Sequence, residues 1–274
     1  MSGTQKEKAE RFRALHAGPG SFVIANAWDI GSARLLEGLG FPALATSSAA
    51  SAMAIGKKDG QLTREQALAH AREVVVATEV PVSADLENGF GDSPEAVAET
   101  VELAAGLGLV GCTVEDSTGD EKKPVYDLAL ATERIAAGAA AARRLGFPFM
   151  LTARAHNLLY ANPDLDETIR RLQAYERAGA DVLFAPGLPD VGAVRRVCGS
   201  ITKPFNFMVG MKGRSFSVKE LAEAGVRRIS LATSLYRAAM TGLLDAANDV
   251  MESGSFGFVD RSTPTAELLR LMRI

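Results

Sequence analysis

Val82–Ser93 reads VSADLENGFGDS, and its pattern decides how the rest of the chain folds. Val82, Ala84 and Leu86 alternate with Ser83, Asp85 and Glu87. Side chains of a strand repeat with period two, so the serine and both acids are expected on one face. Asn88-Gly89-Phe90-Gly91 follows as a turn, its glycines permitting backbone angles that other residues avoid. Ser93-Pro94 then opens a helix as N-cap and first helical residue. Strand, tight turn and helix together make one half of a parallel βα unit. Two carboxylates about 6–7 Å apart along such a strand repel, and one keeps its proton unless a cation lies nearby. A hard divalent ion suits them; a solvated acidic strand end is the alternative.

The same unit recurs on both sides. Apolar runs at Ser21–Trp28, Pro42–Ser48, Pro81–Glu87, Gly111–Asp116, Phe149–Ala155, Asp181–Pro186, Pro204–Val209 and Arg228–Thr233 read as eight strands. Helical patterns separate them, several opened by capping signals such as Thr63-x-x-Gln66 and Ser217-x-x-Glu220. The segment AASAMAIGKKDGQ after the second strand reads as a loop. No hairpin signal joins consecutive strands, so they pair in parallel through crossovers. Neither GxGxxG after the first strand nor a phosphate-binding Walker loop is present, which disfavours a doubly wound nucleotide-binding sheet. The economical solution is an α/β fold, a (β/α)8 TIM barrel with an N-terminal helix and an extra C-terminal helix. The 274 residues match one such domain, for which about 250 is typical. Residues 236–274, with a Pro264-led helix, exceed what closes the ring. They are expected to pack on a neighbouring subunit or to fold as a flap over the same barrel.

Composition narrows the partners. A net charge of −3 leaves no basic footprint, so nucleic acid is not expected. Hydrophobic residues make up 47% and charged ones 23%, which suits a globular chain with a sizeable core. No run of about 18 apolar residues is present, and the opening MSGTQKEKAERFRALHAG lacks an apolar signal-peptide core. No membrane association is expected, and a cytoplasmic location is. Cys112 and Cys198, the only cysteines, have no metal-ligand spacing and are expected to be buried. His16 and His70, on predicted helices, are expected to be surface or satisfied histidines.

Barrel chemistry sits where strands end and the following loops begin. Asp29, Ser47, Ser48, Asp85, Glu87, Glu115, Asp116, Arg154, His156 and Asn157 all fall there, and Asn206 lies on the seventh strand. The opposite ends read Pro81-Val82, Gly111-Cys112 and Phe149-Met150.

With these residues in place, the chain resembles the isocitrate lyase and phosphoenolpyruvate mutase superfamily. The resemblance runs from Asn26-Ala27-Trp28-Asp29 to Ser230–Leu235. Its most specific part is the ordered set Ser47-Ser48-Ala49, Asp59, Asp85-x-Glu87-x-Gly89-x-Gly91, Glu115-Asp116 and Arg154. It implies an (α/β)8 barrel, often a dimer or tetramer that exchanges its last helices, and a requirement for Mg2+ (Mn2+ as a substitute). It also implies cleavage or formation of a bond at C3 of a 2-oxo acid through an enolpyruvate-like intermediate. In that frame Asp85 is the direct metal ligand, with Glu87, Glu115 and Asp59 acting through water, as magnesium's retained hydration favours. The amides around Ser47, Ser48 and Ala49 would receive the substrate carboxylate, with Asn206 as a further contact. Arg154 would clamp a carboxylate or phosphonate, and His156 would serve as general acid or base.

The chain departs from its relatives in three places, one of them Pro186 at the end of the sixth strand, where phosphonate enzymes tend to place histidine, which weakens a phosphonomutase reading. Glu87 stands where aspartate is usual, and the loop after the fourth strand, DSTGDEKKPVYD, lacks the cysteine that the carbon–carbon lyases use as acid/base. Isocitrate or methylisocitrate cleavage is therefore disfavoured. The expected function is Mg2+-dependent cleavage of a small 2-oxo acid, through oxaloacetate-like decarboxylation or hydrolysis. Phosphonopyruvate hydrolysis or mutase chemistry is the alternative, and a barrel that binds ligand without turnover is an alternative of another class. The expected partner is a small 2-oxo acid, within a homodimer or homotetramer.

Overall fold

A computed structural model describes residues 3–160 and 164–274. Helix α1 (Gln5–Ala17) precedes strand β1 (Phe22–Ala27), after which strands and helices alternate. In order these are α2 (Ile30–Gly38), β2 (Leu44–Thr46), α3 (Ser48–Ala54), α4 (Arg64–Ala77), β3 (Val82–Asp85), α5 (Pro94–Gly106), β4 (Gly111–Glu115) and α6 (Leu128–Arg143). Then come β5 (Met150–Arg154), α7 (Leu165–Ala178), β6 (Val182–Phe184), α8 (Val191–Gly199), β7 (Phe205–Met208), α9 (Val218–Glu223) and β8 (Arg228–Ser230). Helices α10 (Ser234–Ser253) and α11 (Thr265–Met272) complete the chain.

The eight strands form a closed parallel barrel in sequence order, with β8 returning to β1 through the register Phe22↔Arg228. The capping signals sit where the sequence placed them. Ser93 caps α5 with Pro94 following, and full capping boxes open α4 and α9. Each offers side-chain acceptors to amides that lack partners in the first helical turn.

Three local features differ from the sequence reading. The segment after β2 is not all loop: Ser47 caps the short helix α3. Strand β3 stops at Asp85, and Glu87 takes a left-handed backbone with φ 50°. Period-two alternation therefore does not govern where Glu87 points, although its carbonyl still accepts the Glu115 N–H at 2.8 Å. His16 is buried, at 3% exposure, and only half satisfied, its Nδ1 lying 2.8 Å from the Phe12 carbonyl. It lies edge-on between Phe12 and Phe22 where α1 covers the barrel floor, and its Nε2 has no hydrogen-bond partner. His70 is satisfied, with Nε2 at 2.9 Å from the Trp28 carbonyl and Nδ1 at 3.1 Å from Ser51 Oγ.

At the other end of the chain, α11 packs on α2 of the same barrel. A side chain at Gly38 would place its Cβ 2.0 Å from the Leu271 carbonyl oxygen, so only glycine permits this approach. Helix α10 buries none of its residues, and Leu243, Leu244 and Met251 are exposed on it. Among the described residues no helix is long and apolar enough to cross a membrane.

Candidate active site

Asp85, the last residue of β3, is aimed into the barrel. Its Oδ2 accepts the Ser48 N–H at 3.3 Å and lies 3.2 Å from the Ser48 hydroxyl. Helix α3, which the sequence reading missed, supplies this contact: its first turn presents amides without intrahelical acceptors. Ser47 uses its hydroxyl to cap Ala50 N–H, so its side chain belongs to the helix start, while Ala49 lines the cavity beside Ser48.

An inner cavity of about 200 Å³ runs down the barrel axis, lined by Asp85, Asp59, Ser48, Arg154, Asn206 and Arg228 among others. An outer one of about 560 Å³ adds Glu87, Glu115, His156 and Tyr160. Ser48, Asp59 and Arg154 border both. The predicted acids thus gather around one mouth. They do not close on a common point as direct ligands, however, because no three His, Cys, Asp or Glu side chains do so among the described residues.

Their electrostatics are uneven. Burial raises the Asp85 carboxyl above its ordinary range; Arg154 opposes this while Glu115 and Asp59 add to it. Burial and the neighbouring Asp85, Asp59 and Glu115 push Glu87 up to about 8, and its Oε1 is buried without a partner. Burial acts in the same direction on Glu115, but the Arg154 guanidinium and His156 outweigh it and hold the carboxyl down to about 2. Glu87 therefore has no positive neighbour among the described residues, Asp85 has only the pull of an Arg154 already paired with Glu115, and Glu115 has that partner beside it.

Arg154, at the end of β5, approaches Glu115 Oε2 at 3.2 Å, which the register Glu115↔Arg154 places alongside. Its Nη2 donates to His156 Nε2 at 2.8 Å, and the guanidinium lies 4.9 Å above the Phe184 ring. With Nε2 accepting, the proton of a neutral His156 sits on Nδ1, 3.2 Å from Glu115 Oε1. Tyr160 meets the His156 ring edge-on at 5.8 Å.

Other strand-end residues are placed elsewhere. Asp116 turns out of the barrel toward Arg171 and Tyr175. Asn157 binds Thr168 and the Asp164 carbonyl. Asn206 is fully buried, its amide shared between Ser230 Oγ and Arg228, which favours a role in filling the barrel layer. Cys112 is buried, and burial pushes its thiol up, whereas Cys198 is only half-buried. In the loop after β4, Lys123 pairs with Asp127 at 2.6 Å.

Arg228 was not picked out from the sequence. The only signal was its two-residue spacing from Ser230, which puts both on the inward face of β8.

Comparison with known proteins shows what the chain is similar to. The phosphoenolpyruvate phosphomutase family model matches residues 12–251. A solved structure of a candidate lyase/mutase from Burkholderia cenocepacia J2315 is 47% identical, covers 98% of this chain and 97% of its own, and superposes with a TM-score of 0.96. An oxaloacetate decarboxylase of Bradyrhizobium diazoefficiens is 30% identical over 73% of this chain and 70% of its own. The structure of an oxaloacetate acetylhydrolase in complex with oxalate is 25% identical, with a TM-score of 0.88 over 99% of this chain and 95% of its own.

Proposed function

The chain belongs to the phosphoenolpyruvate phosphomutase family, a group of lyases and mutases, and from that premise we propose a Mg2+-dependent enzyme cleaving a bond at C3 of a small 2-oxo acid. Carbon–carbon cleavage is favoured, as decarboxylation or hydrolysis of an oxaloacetate-like acid. The observation that carries this reading is the half-buried pair of acids, Asp85 and Glu87, with raised proton affinity and, among the described residues, no cationic side chain within 4.0 Å of either.

The donor set fits magnesium. The ion takes oxygen ligands and keeps several waters, so Asp85 as direct ligand with Glu87, Glu115 and Asp59 reached through water agrees with acids that ring a mouth without touching. Manganese would substitute. When bound, the cation supplies Lewis-acid stabilisation of the charge that develops on the substrate's keto oxygen.

The chain's own groups bind and orient. The amide of Ala49 and the start of α3 receive the C1 carboxylate, with Ser48 fixed beside it by Asp85. Arg154, held by Glu115 and stacked on Phe184, presents its guanidinium edge to a carboxylate or phosphonate of the substrate at the mouth. His156, bordering the outer cavity beside Arg154 and Glu115, is the general acid or base of this reading. Cys112, buried in the β4 wall, is not placed for that task, which disfavours isocitrate-type cleavage. A homodimer or homotetramer formed through the C-terminal helices is part of the same proposal.

Phosphonopyruvate chemistry is the second reading, favoured by the family model's description and by a guanidinium able to hold a phosphonate. A screen of 2-oxo acids and phosphonate analogues, with and without Mg2+, separates the two. Pyruvate, or oxalate with acetate, formed from oxaloacetate supports the first; phosphate released from phosphonopyruvate supports the second. Absence of any turnover, together with absence of Mg2+-dependent oxalate binding, overturns both.

A further inference from the structure

The guanidinium of Arg228 is 3% exposed, on the floor of the inner cavity. Its Nε donates to Asn206 Oδ1 at 2.8 Å and its Nη2 to Thr152 Oγ1 at 3.1 Å, both neutral acceptors. Among the described residues no carboxylate lies within 4.0 Å of it. Arg171, by contrast, has Asp116 at 3.0 Å, and Arg134, also without a carboxylate, is taken up by the Asn88 and Gly91 carbonyls and the Tyr126 ring, away from the inner cavity that Arg228 lines. Burial alone pushes Arg228 down to about 9, with no acid to offset it.

An unmatched charge in a barrel interior is costly, and an apolar side chain of similar length would fill the same layer at lower cost. The position therefore calls for an anion that the chain itself does not provide. Asp85 and Arg228 line the same cavity of about 200 Å³, which has room for about seven waters at about 30 Å³ each. An acid of four or five carbons held at the Asp85 end would extend its far end toward the floor.

Given the 2-oxo acid chemistry proposed above, on which this assignment depends, we propose that Arg228 is a specificity residue that receives the second carboxylate of a 2-oxo dicarboxylate. Asn206 and Thr152 hold the guanidinium in place, and Asn206 is itself tied to β8 through Ser230 Oγ at 3.0 Å. The cavity walls combine Phe184 and Met208 with neutral groups such as Asn26, Ser83 and Thr113, and Arg154 in the same lining is paired with Glu115, so the unpaired charge of Arg228 is the feature that separates a diacid from a monoacid of the same length.

The test compares three probes in the presence of Mg2+: oxalate by calorimetry, and oxaloacetate and 2-oxobutyrate by the concentration of each that displaces bound oxalate before turnover. Oxalate is short enough to occupy the Asp85 end alone, whereas 2-oxobutyrate matches oxaloacetate in chain length but lacks the second carboxylate. The wild type is expected to bind oxaloacetate at least tenfold more tightly than 2-oxobutyrate. Arg228→Gln should remove that preference while leaving oxalate affinity within about twofold, and Arg228→Lys should keep part of it. Equal binding of the two longer acids by the wild type overturns the proposal, and this needs no variant to fold. Parallel loss of oxalate and oxaloacetate binding in a folded Arg228→Gln protein also overturns it, in favour of a structural role. Failure of the wild type to bind oxalate at all defeats the 2-oxo acid function first, and the assignment with it.

Discussion

Asp116 accepts the backbone N–H of His156 at 2.7 Å through one oxygen, while its other oxygen receives Arg171 at 3.0 Å and Tyr175 at 2.5 Å. One carboxylate, 3% exposed, thus ties the segment after β4 to the one after β5 and to α7 behind them. The His156 ring meets Arg154 and Glu115 because its backbone is anchored from outside the barrel. Arg171→Met would leave Asp116 buried with its charge uncompensated, at a cost of about 3–5 kcal/mol. Urea unfolding measures that loss. A cost below about 1 kcal/mol would show that Arg171 does not balance Asp116.

Asp85→Asn separates stability from function. The amide can still accept from Ser48 but removes a buried charge whose protonated form the fold already favours. The metal-free variant is expected to be more stable than wild type by about 1 kcal/mol, as relieved site strain commonly yields. It should also lose Mg2+-dependent oxalate binding by calorimetry. Retention of that binding would remove Asp85 from the ligand role.

Arg154→Lys keeps the charge and loses the planar fork. A single ammonium cannot face Glu115, donate to His156 Nε2 and engage an acid together. The expected fall in kcat/KM on the turned-over acid is about 100-fold, equivalent to about 2.7 kcal/mol. Rates within threefold of wild type would sink the clamp role.

His16 makes the fold sensitive to acid. Burial lowers its folded value to about 3 from an ordinary 6.5, so the unfolded chain binds the proton more readily. Its contribution is complete above pH 6.5 and is lost as pH falls from there toward 3. At pH 4.5 the loss is about 3 kcal/mol, at about 1.4 kcal/mol per unit. His16→Gln, unable to take up a proton, should flatten the stability profile between pH 6.5 and 4.5 in urea titrations. An unchanged slope would clear His16 of this role.

Leu243 and Leu244 are 60% and 61% exposed on α10, a helix that buries none of its residues within the chain. Such a face is expected to be covered in an oligomer. Leu243→Glu together with Leu244→Glu should shift sedimentation toward the monomer, whereas a monomeric wild type would refute the proposed assembly.

The barrel was legible because its signals are local. The alternation in Val82–Asp85, the apolar runs of the other seven strands, Ser93-Pro94, and the boxes Thr63–Gln66 and Ser217–Glu220 each act over a few residues. The line-up of Asp85, Glu115 and Arg154 at strand ends followed from the same periodicity. Pairing β4 with β5 then brought Glu115 beside Arg154, as parallel neighbours in chain order require.

What lay beyond reach depends on groups far apart in the chain. The left-handed turn at Glu87 broke the alternation that placed it with Asp85, and the small-residue run Ser48–Ala54 is helical because it packs beside Asp85 and His70. Asp116 faces outward because Arg171 and Tyr175, more than 50 residues away, receive it there. Arg228 reaches Thr152 across the barrel, 76 positions back in sequence. The chain's own pattern therefore determined the eight-stranded ring and the end that carries the acids. Only closure of that ring decided which charges are matched and which are left to a ligand, because charge balance depends on distances across the barrel that no run of neighbouring residues encodes.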